Sequence, residues 1–381
     1  MLKKLVFCLI FFFTLAFSSV SVSHAQLPDQ LDFKEAFGKG KIVEVFQPTT
    51  QEINGITISS QKYKVEIIEG AEKGKTVIIE QSIDPRLPSQ KLNAGDTVVI
   101  NSKPNPNKTM AYSIYEPYRL NTLLILSILF LLLVILVAGK RGLGAVTGLI
   151  VSFGVIGLWI IPSILQGADP LQVSIAGATL ILIVTTFVAH GVSLKTTAAI
   201  FGTAIALLFA GFLATTVVGL LHIVGLGDEN IYNLQVGTPF PINPQGLLLG
   251  GIIIGTLGAL NDITTTQAIT IFTLVRENPK QKLSELFGKG MIIGREHIAS
   301  LINTLILAYA GSSLAVLIVF ELNPAKLPWW VILNNEATMQ EIIKSLVGAS
   351  ALILAVPLTT FLACWVALRG TTFRRFFSSF T

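Results

Sequence analysis

Residues 121–139 read NTLLILSILFLLLVILVAG, where one Asn, one Thr and one Ser are the only polar side chains. About 20 such residues in a helix span the roughly 30 Å hydrocarbon layer of a bilayer. A helix that is apolar on every side belongs in lipid or in the middle of a large core. Six more runs of this kind follow, at Leu143–Leu165, Leu171–His190, Thr196–Leu221, Gly246–Val275, Ile298–Phe320 and Ile342–Leu368. The sequence therefore predicts about seven transmembrane helices over residues 121–370. The fifth and seventh exceed the minimum length and must tilt, bend or break. In the seventh, Pro357 removes a backbone donor and predicts a kink.

Composition agrees. The chain is 52% hydrophobic and only 13% charged, with a mean hydropathy of +0.70. An ordinary soluble domain carries about a quarter charged residues, so one soluble globular fold is excluded. The formal charge of +5 does not point to nucleic acid, because no basic cluster is interleaved with aromatics. The two cysteines, Cys8 and Cys364, offer no exported disulfide and no thiolate metal cluster.

Upstream of the first apolar run the character changes. Lys3 and Lys4 precede an apolar stretch, Leu5 to Phe17, and then Ser23-His24-Ala25. That order is a signal peptide with cleavage after Ala25, or an uncleaved N-terminal anchor; either predicts that residues 26–120 are exported. Within them Gly40–Phe46 and Tyr63–Ile68 alternate apolar and polar positions, and Thr76–Glu80 and Thr97–Ile100 are rich in β-branched residues. Turn signals at Asn54-Gly55, Glu69-Gly70, Lys73-Gly74 and Asn93–Asp96 separate them. Five or six short strands predict a small all-β barrel of the OB or SH3-like kind, a stalk or a partner-docking module.

Basic residues orient the chain. Lys140, Arg141, Lys195, Arg276, Lys280, Lys282, Lys289 and Arg295 fall in or beside alternate connections, with Arg369, Arg374 and Arg375 at the C-terminus. The opposite connections hold only Lys326. The positive-inside rule then places the β domain outside and the tail, 371–381, in the cytoplasm, as the leader requires independently. Trp329-Trp330 suit the outer interface.

Three places break the apolar pattern. The first is Gly258-Ala259-Leu260-Asn261-Asp262-Ile263-Thr264-Thr265-Thr266-Gln267, near the middle of the fifth run. An ionisable group at that depth costs at least a few kcal/mol unless paired or wet, which makes Asp262 the leading candidate for function. Gly251, Gly255, Gly258, Asp262 and Thr266 share one helical face, which reads as a helix-packing seam. The competing reading is an Asp that caps a half-helix at a break. The second is Gly294-Arg295-Glu296-His297 with Ser300, Asn303 and Thr304, where Asn303 and Thr304 are expected to reach towards Asp262 or Asn261. The third is His190, read as an interfacial helix end. No zinc-protease, serine-hydrolase, P-loop or CxxC signature occurs, so neither an enzyme nor a cofactor or metal is expected.

These stretches, together with Gly290–Glu296, Asn303–Leu314, Ser345–Gly348 and Ala355–Thr359, resemble the YibE/F-like bacterial membrane proteins over nearly the whole chain. The resemblance implies a multi-span bacterial plasma-membrane protein without a settled activity. Where that family more often has Gly-Asp, this chain has Asn261-Asp262. A weaker local likeness links Asn261-Asp262 and Arg276-Glu277-Asn278 to the proton-driven Sec accessory permeases.

The function expected from the sequence is a transporter or permease component. Its ion or substrate pathway would be lined by Asn261, Asp262, Thr265, Thr266, Glu296, Asn303 and Thr304, with protons or ions as the coupled species. The alternative is a membrane scaffold or assembly factor acting through the β domain. Its expected partners are the lipid bilayer and a second copy or other membrane proteins.

Overall fold

A computed structural model describes residues 36–53, 56–70, 72–83, 91–105, 110–227, 229–237, 242–323 and 325–378. The expected leader at 1–25 and the Asn54-Gly55 turn lie outside the described residues. The chain divides into two compact units.

The first unit is an antiparallel sheet of six strands: β1 (Ala36–Val45), β2 (Thr49–Ile53), β3 (Ile56–Glu69), β4 (Thr76–Ile83), β5 (Thr97–Pro104) and β6 (Met110–Pro117). The long β3 pairs with β2 and then β1 along one edge and with β4 along the other, while β5 joins β1 to β6. The sheet curls into a half-barrel around Ile42, Tyr63, Val65, Ile67, Ile79, Val98, Ile100 and Ile114. Tyr63, Val65 and Ile67 alternate with outward Lys62, Lys64 and Glu66, the period-2 pattern that marked the strand in the sequence. Gly40 sits mid-strand because a Cβ there would overlap Ile100 Cδ1 and stand 2.5 Å from Val65 Cγ1. Gly74 and Gly95 turn with φ of 92° and 98° at the Lys73-Gly74 and Asn93–Asp96 turns, where glycine avoids the strain of the left-handed region.

The second unit, which among the described residues starts at Leu133, is helical, and the helix that enters it begins in the first unit. Its elements are α1 (Leu120–Val155), continued through a π-helical turn, Ile156–Ile160, into α2 (Ile161–Leu165); then α3 (Pro170–His190), α4 (Leu194–Leu220), α5 (Glu229–Gly237), α6 (Pro244–Glu277), α7 (Leu283–Ser312), α8 (Leu314–Leu322), α9 (Trp329–Leu333) and α10 (Glu336–Ser378). Asp169, Ser193 and Asn243 cap α3, α4 and α6 by accepting from amides three residues on, so the expected starts of these runs are also chemical starts.

Among the described residues six helices are long and apolar enough to cross a membrane. The first expected pair appears as one stretch, Leu120–Leu165, but Gly139 interrupts it with φ 58° and ψ −133°. A Cβ on Gly142 would overlap the carbonyl oxygen of Val134 and stand 3.0 Å from Ala138 Cβ. In a straight helix residues eight apart are separated by about 12 Å, so the chain folds back sharply at Gly139.

The sixth run also differs from expectation. Its helix begins at Leu283, well before Ile298, and stops at Ser312, after which α8 continues. The charged residues before Ile298 do not end it, because Leu286, Gly290 and Gly294 are buried at four-residue spacing while Glu285 and Lys289 pair outward at 2.7 Å. The helix α10 runs on through Pro357.

In the half-barrel, Lys75 stands 2.6 Å from Glu72 and Tyr112 donates to the same carboxylate. Hydrogen bonds from Lys75 and then Tyr112 hold the Glu72 carboxyl below its ordinary range. A depressed carboxyl stabilises the fold above its unfolded pKa, and that contribution is lost as pH falls through the folded value. Glu72→Gln is therefore expected to lower the protection of β3 and β6 amides at neutral pH, by hydrogen exchange, with the difference from the parent vanishing in acid.

Candidate functional site

The helix α6 stands at the centre of the helical unit, in contact with α3, α4, α7 and α10. Without water between helices, hydrophobicity gives them no reason to prefer one register, so close-packing glycines and polar pairs set it. A Cβ at Gly250 would overlap Ser174 Oγ, one at Gly246 would stand 3.2 Å from Pro170 Cδ, and Thr186 Oγ1 lies 2.8 Å from Asn261 Oδ1. These contacts advance together along both helices, so α3 and α6 run the same way. By the same test α10 is parallel to α6, through Gly348–Thr256 and Thr360–Gln267. The helix α7 is antiparallel, through Gly290–Ile271 and Tyr309–Gly255, and so is α4, through Thr203–Thr264 and Gly211–Ile253.

One level of this bundle is polar. Thr203 and Thr264 hydroxyls lie 2.5 Å apart. Gln267 is fully buried and donates both amide hydrogens, to the Gly290 carbonyl at 2.8 Å and to Thr360 Oγ1 at 2.7 Å. Thr359 packs against Gly202, where a Cβ would overlap its Oγ1. Gln267 Oε1, Thr265 Oγ1 and Thr359 Oγ1 are buried with no hydrogen-bond partner among the described residues. Apolar clusters flank this layer on both sides, with Leu260, Ile263 and Val356 in one and Ala268, Ile271 and Ala363 in the other. The layer thus interrupts α4, α6 and α10 at a shared depth.

The residues expected to line a pathway divide around this layer. Asn261 faces Thr186, one turn from the end of α3 at His190. Thr265 is buried. Asp262 and Thr266 are exposed on the opposite side of α6, and Asp262 makes no hydrogen bond or ion pair among the described residues. The helix is unbroken from Pro244 to Glu277, so Asp262 caps nothing. Glu296, Asn303 and Thr304 are exposed on α7, and Thr304 donates to its own helix at Ser300. Asn303 and Thr304 therefore do not join Asn261 or Asp262.

The glycine face also differs from the expected packing seam. Gly251 and Gly258 have nothing within 4 Å of a Cβ, and Gly255 meets only Tyr309 Oη at 3.5 Å. The glycines that bring α6 to a neighbour are Gly246 and Gly250, one position out of phase.

A cavity of about 390 Å³ opens beside Asn261, between α3, α6 and the part of α1 after Gly139. Ser152, Thr185, His190 and Asn261 are its polar lining; Leu149, Ile156, Ile181, Ile254 and Leu257 give most of the rest. Among the described residues no three His, Cys, Asp or Glu side chains gather as a metal-ligand set. Thr186, Thr203, Thr359 and Thr360 were not singled out from the sequence, and Gln267 was only the end of the polar stretch around Asp262, because partnership across helices leaves no local pattern.

Long apolar helices packed through glycines and a buried polar layer define a multi-pass α-helical membrane protein. The profile of the YibE/F-like protein family matches residues 126–369, and the chain belongs to that family. No curated protein and no solved structure matches the chain.

Replacing Gln267 by Leu removes its hydrogen bonds to the Gly290 carbonyl and to Thr360 Oγ1, each with a net worth of about 0.5–1.5 kcal/mol. A lower thermal midpoint of the detergent-purified variant is expected. Gly250→Val should also lower it, by overpacking worth about 1–3 kcal/mol, whereas Gly251→Val should leave it unchanged. Equal effects of the two valines would show that the exposed glycine face is covered in the folded protein.

Proposed function

We propose that the protein is a transporter or permease component whose working acid is Asp262, coupled to protons or small ions. The observation that carries this reading is an unpaired carboxylate on an unbroken, centrally packed helix, one residue from Asn261 in the cavity wall. An ionisable side chain kept in a membrane helix without a structural partner is a functional site by default. Asn261 and Thr266 supply neutral ligands next to it. Alternating access of Asp262 to the two sides would couple its protonation to movement of α6 against its neighbours.

The fold-back at Gly139 supports counting Leu120–Leu165 as two crossings, seven in all, with Lys140 and Arg141 at the turn. With the basic connections inside, the half-barrel lies outside the bacterial plasma membrane and the C-terminus in the cytoplasm. The strand neighbours β1–β3, β3–β4, β1–β5 and β5–β6 are those of an OB barrel left open between β4 and β6. The separate core of that half-barrel favours a second reading, a scaffold or assembly factor that works through it.

Proteoliposomes under an imposed pH gradient test the first reading. Flux through the parent chain should disappear in Asp262→Asn while the variant remains folded in the membrane. Flux unchanged by the substitution rejects Asp262 as the working acid. Deleting residues 26–118 separates the two readings: a permease keeps some flux, whereas a scaffold loses its cellular phenotype.

A further inference from the structure

The cavity beside Asn261 has a chemistry that the proposed ion pathway does not use. Its walls are apolar over Leu149, Ile156, Ile181, Ile254 and Leu257, Ser152 is bonded to its own helix, and the other polar residues, Thr185, Asn261 and His190, gather towards one end. The helix after Gly139 crosses α3 at that same end. A Cβ at Gly144 would lie 3.0 Å from Ala189 Cα, and one at Gly148 would lie 3.4 Å from Thr185 Cβ, so the two helices run antiparallel. By that register Arg141, one turn before Gly144, falls level with the α3–α4 connection, beyond which Lys195 lies in the first turn of α4. His190 feels both cations. Neither Arg141 nor Lys195 has a carboxylate partner among the described residues, and Asp262 also acts on His190. Two cations and one carboxylate thus lie near His190, which lines the polar end of a largely apolar cavity.

An apolar slot in the side of a membrane helix bundle, with unpaired cations beyond its polar end, is complementary to a lipid with an acyl chain and an anionic head. Basic pockets between transmembrane helices bind such headgroups. We propose that this cavity is a binding site for an anionic membrane phospholipid. One acyl chain lies against Leu149, Ile156 and Ile254, and the phosphate lies on Arg141 and Lys195 beside His190. The acyl chain separates this ligand from free phosphate, which would have no use for the apolar wall. The proposal does not depend on transport, because it concerns occupancy and not movement.

The test is native mass spectrometry of the full chain, delipidated in detergent and then titrated with phosphatidylglycerol or phosphatidylcholine of identical chains. Two cations near a lipid phosphate are expected to favour phosphatidylglycerol by about thirty-fold. Arg141→Gln with Lys195→Gln should bring that ratio close to one without loss of the folded ion series. Gly148→Leu, which fills the slot from the α1 side, should weaken both lipids alike. Equal retention of the two lipids by the parent chain overturns the proposal, as does a preference that survives the double substitution. Displacement of phosphatidylglycerol by inorganic phosphate alone overturns the lipid assignment in favour of a simple anion site. Loss of flux in Asp262→Asn with lipid preference intact would show the two sites to be separate. Loss of lipid preference with normal flux would bear on this cavity alone.

Discussion

The buried amide of Gln267 is the constraint on which the helical unit turns. One hydrogen goes to the Gly290 carbonyl and the other to Thr360, so a single side chain fixes α6 against α7 and α10 at one depth. Apolar side chains slide past one another in lipid with little change in energy, whereas a broken hydrogen bond in hydrocarbon finds no water to replace it. Glycines at 202, 290 and 294 make the arrangement possible, since a Cβ at each would meet Thr359, Ile271 or Val356. The register of Thr203 on Thr264 and of Asn261 on Thr186 then repeats the same instruction for α4 and α3.

That register changes the meaning of Asp262. Counted along its own helix it sits near the middle of an apolar run. Counted against α3, which at 21 residues is about 31 Å long, it lies within a turn of the end that carries His190. The acid therefore shares a level with the polar layer and with the mouth of the lateral cavity. Its side chain emerges on the outer surface of α6, away from Gln267.

Much of the architecture was legible because its signals are local. Strand alternation in Tyr63–Ile67, the turn glycines at 74 and 95 and the apolar runs are all read from neighbouring residues. The site was less legible for the opposite reason. Gly251, Gly255 and Gly258 looked like a seam by spacing alone, but whether a glycine face is packed depends on what lies across from it, and here the packed pair is Gly246 and Gly250. Asn303 was expected to reach α6; it lies on the exposed face of α7, and Gly290 and Gly294 occupy the packed face. The interior threonines carried no signal, since in an apolar helix a Thr bonded to its own carbonyl and one bonded across helices look alike in sequence.

The order of the chain gives the polar layer a history. During synthesis α6 reaches the membrane before α7 and α10, yet the acceptors of Gln267 belong to both of those later helices. Until Thr360 has been made, the amide has no complete set of partners, and the nascent protein carries an unmet polar group in its middle. The last long helix thus acts as a keystone, and a chain cut short before it differs from the finished protein in a way that cellular quality control can sense.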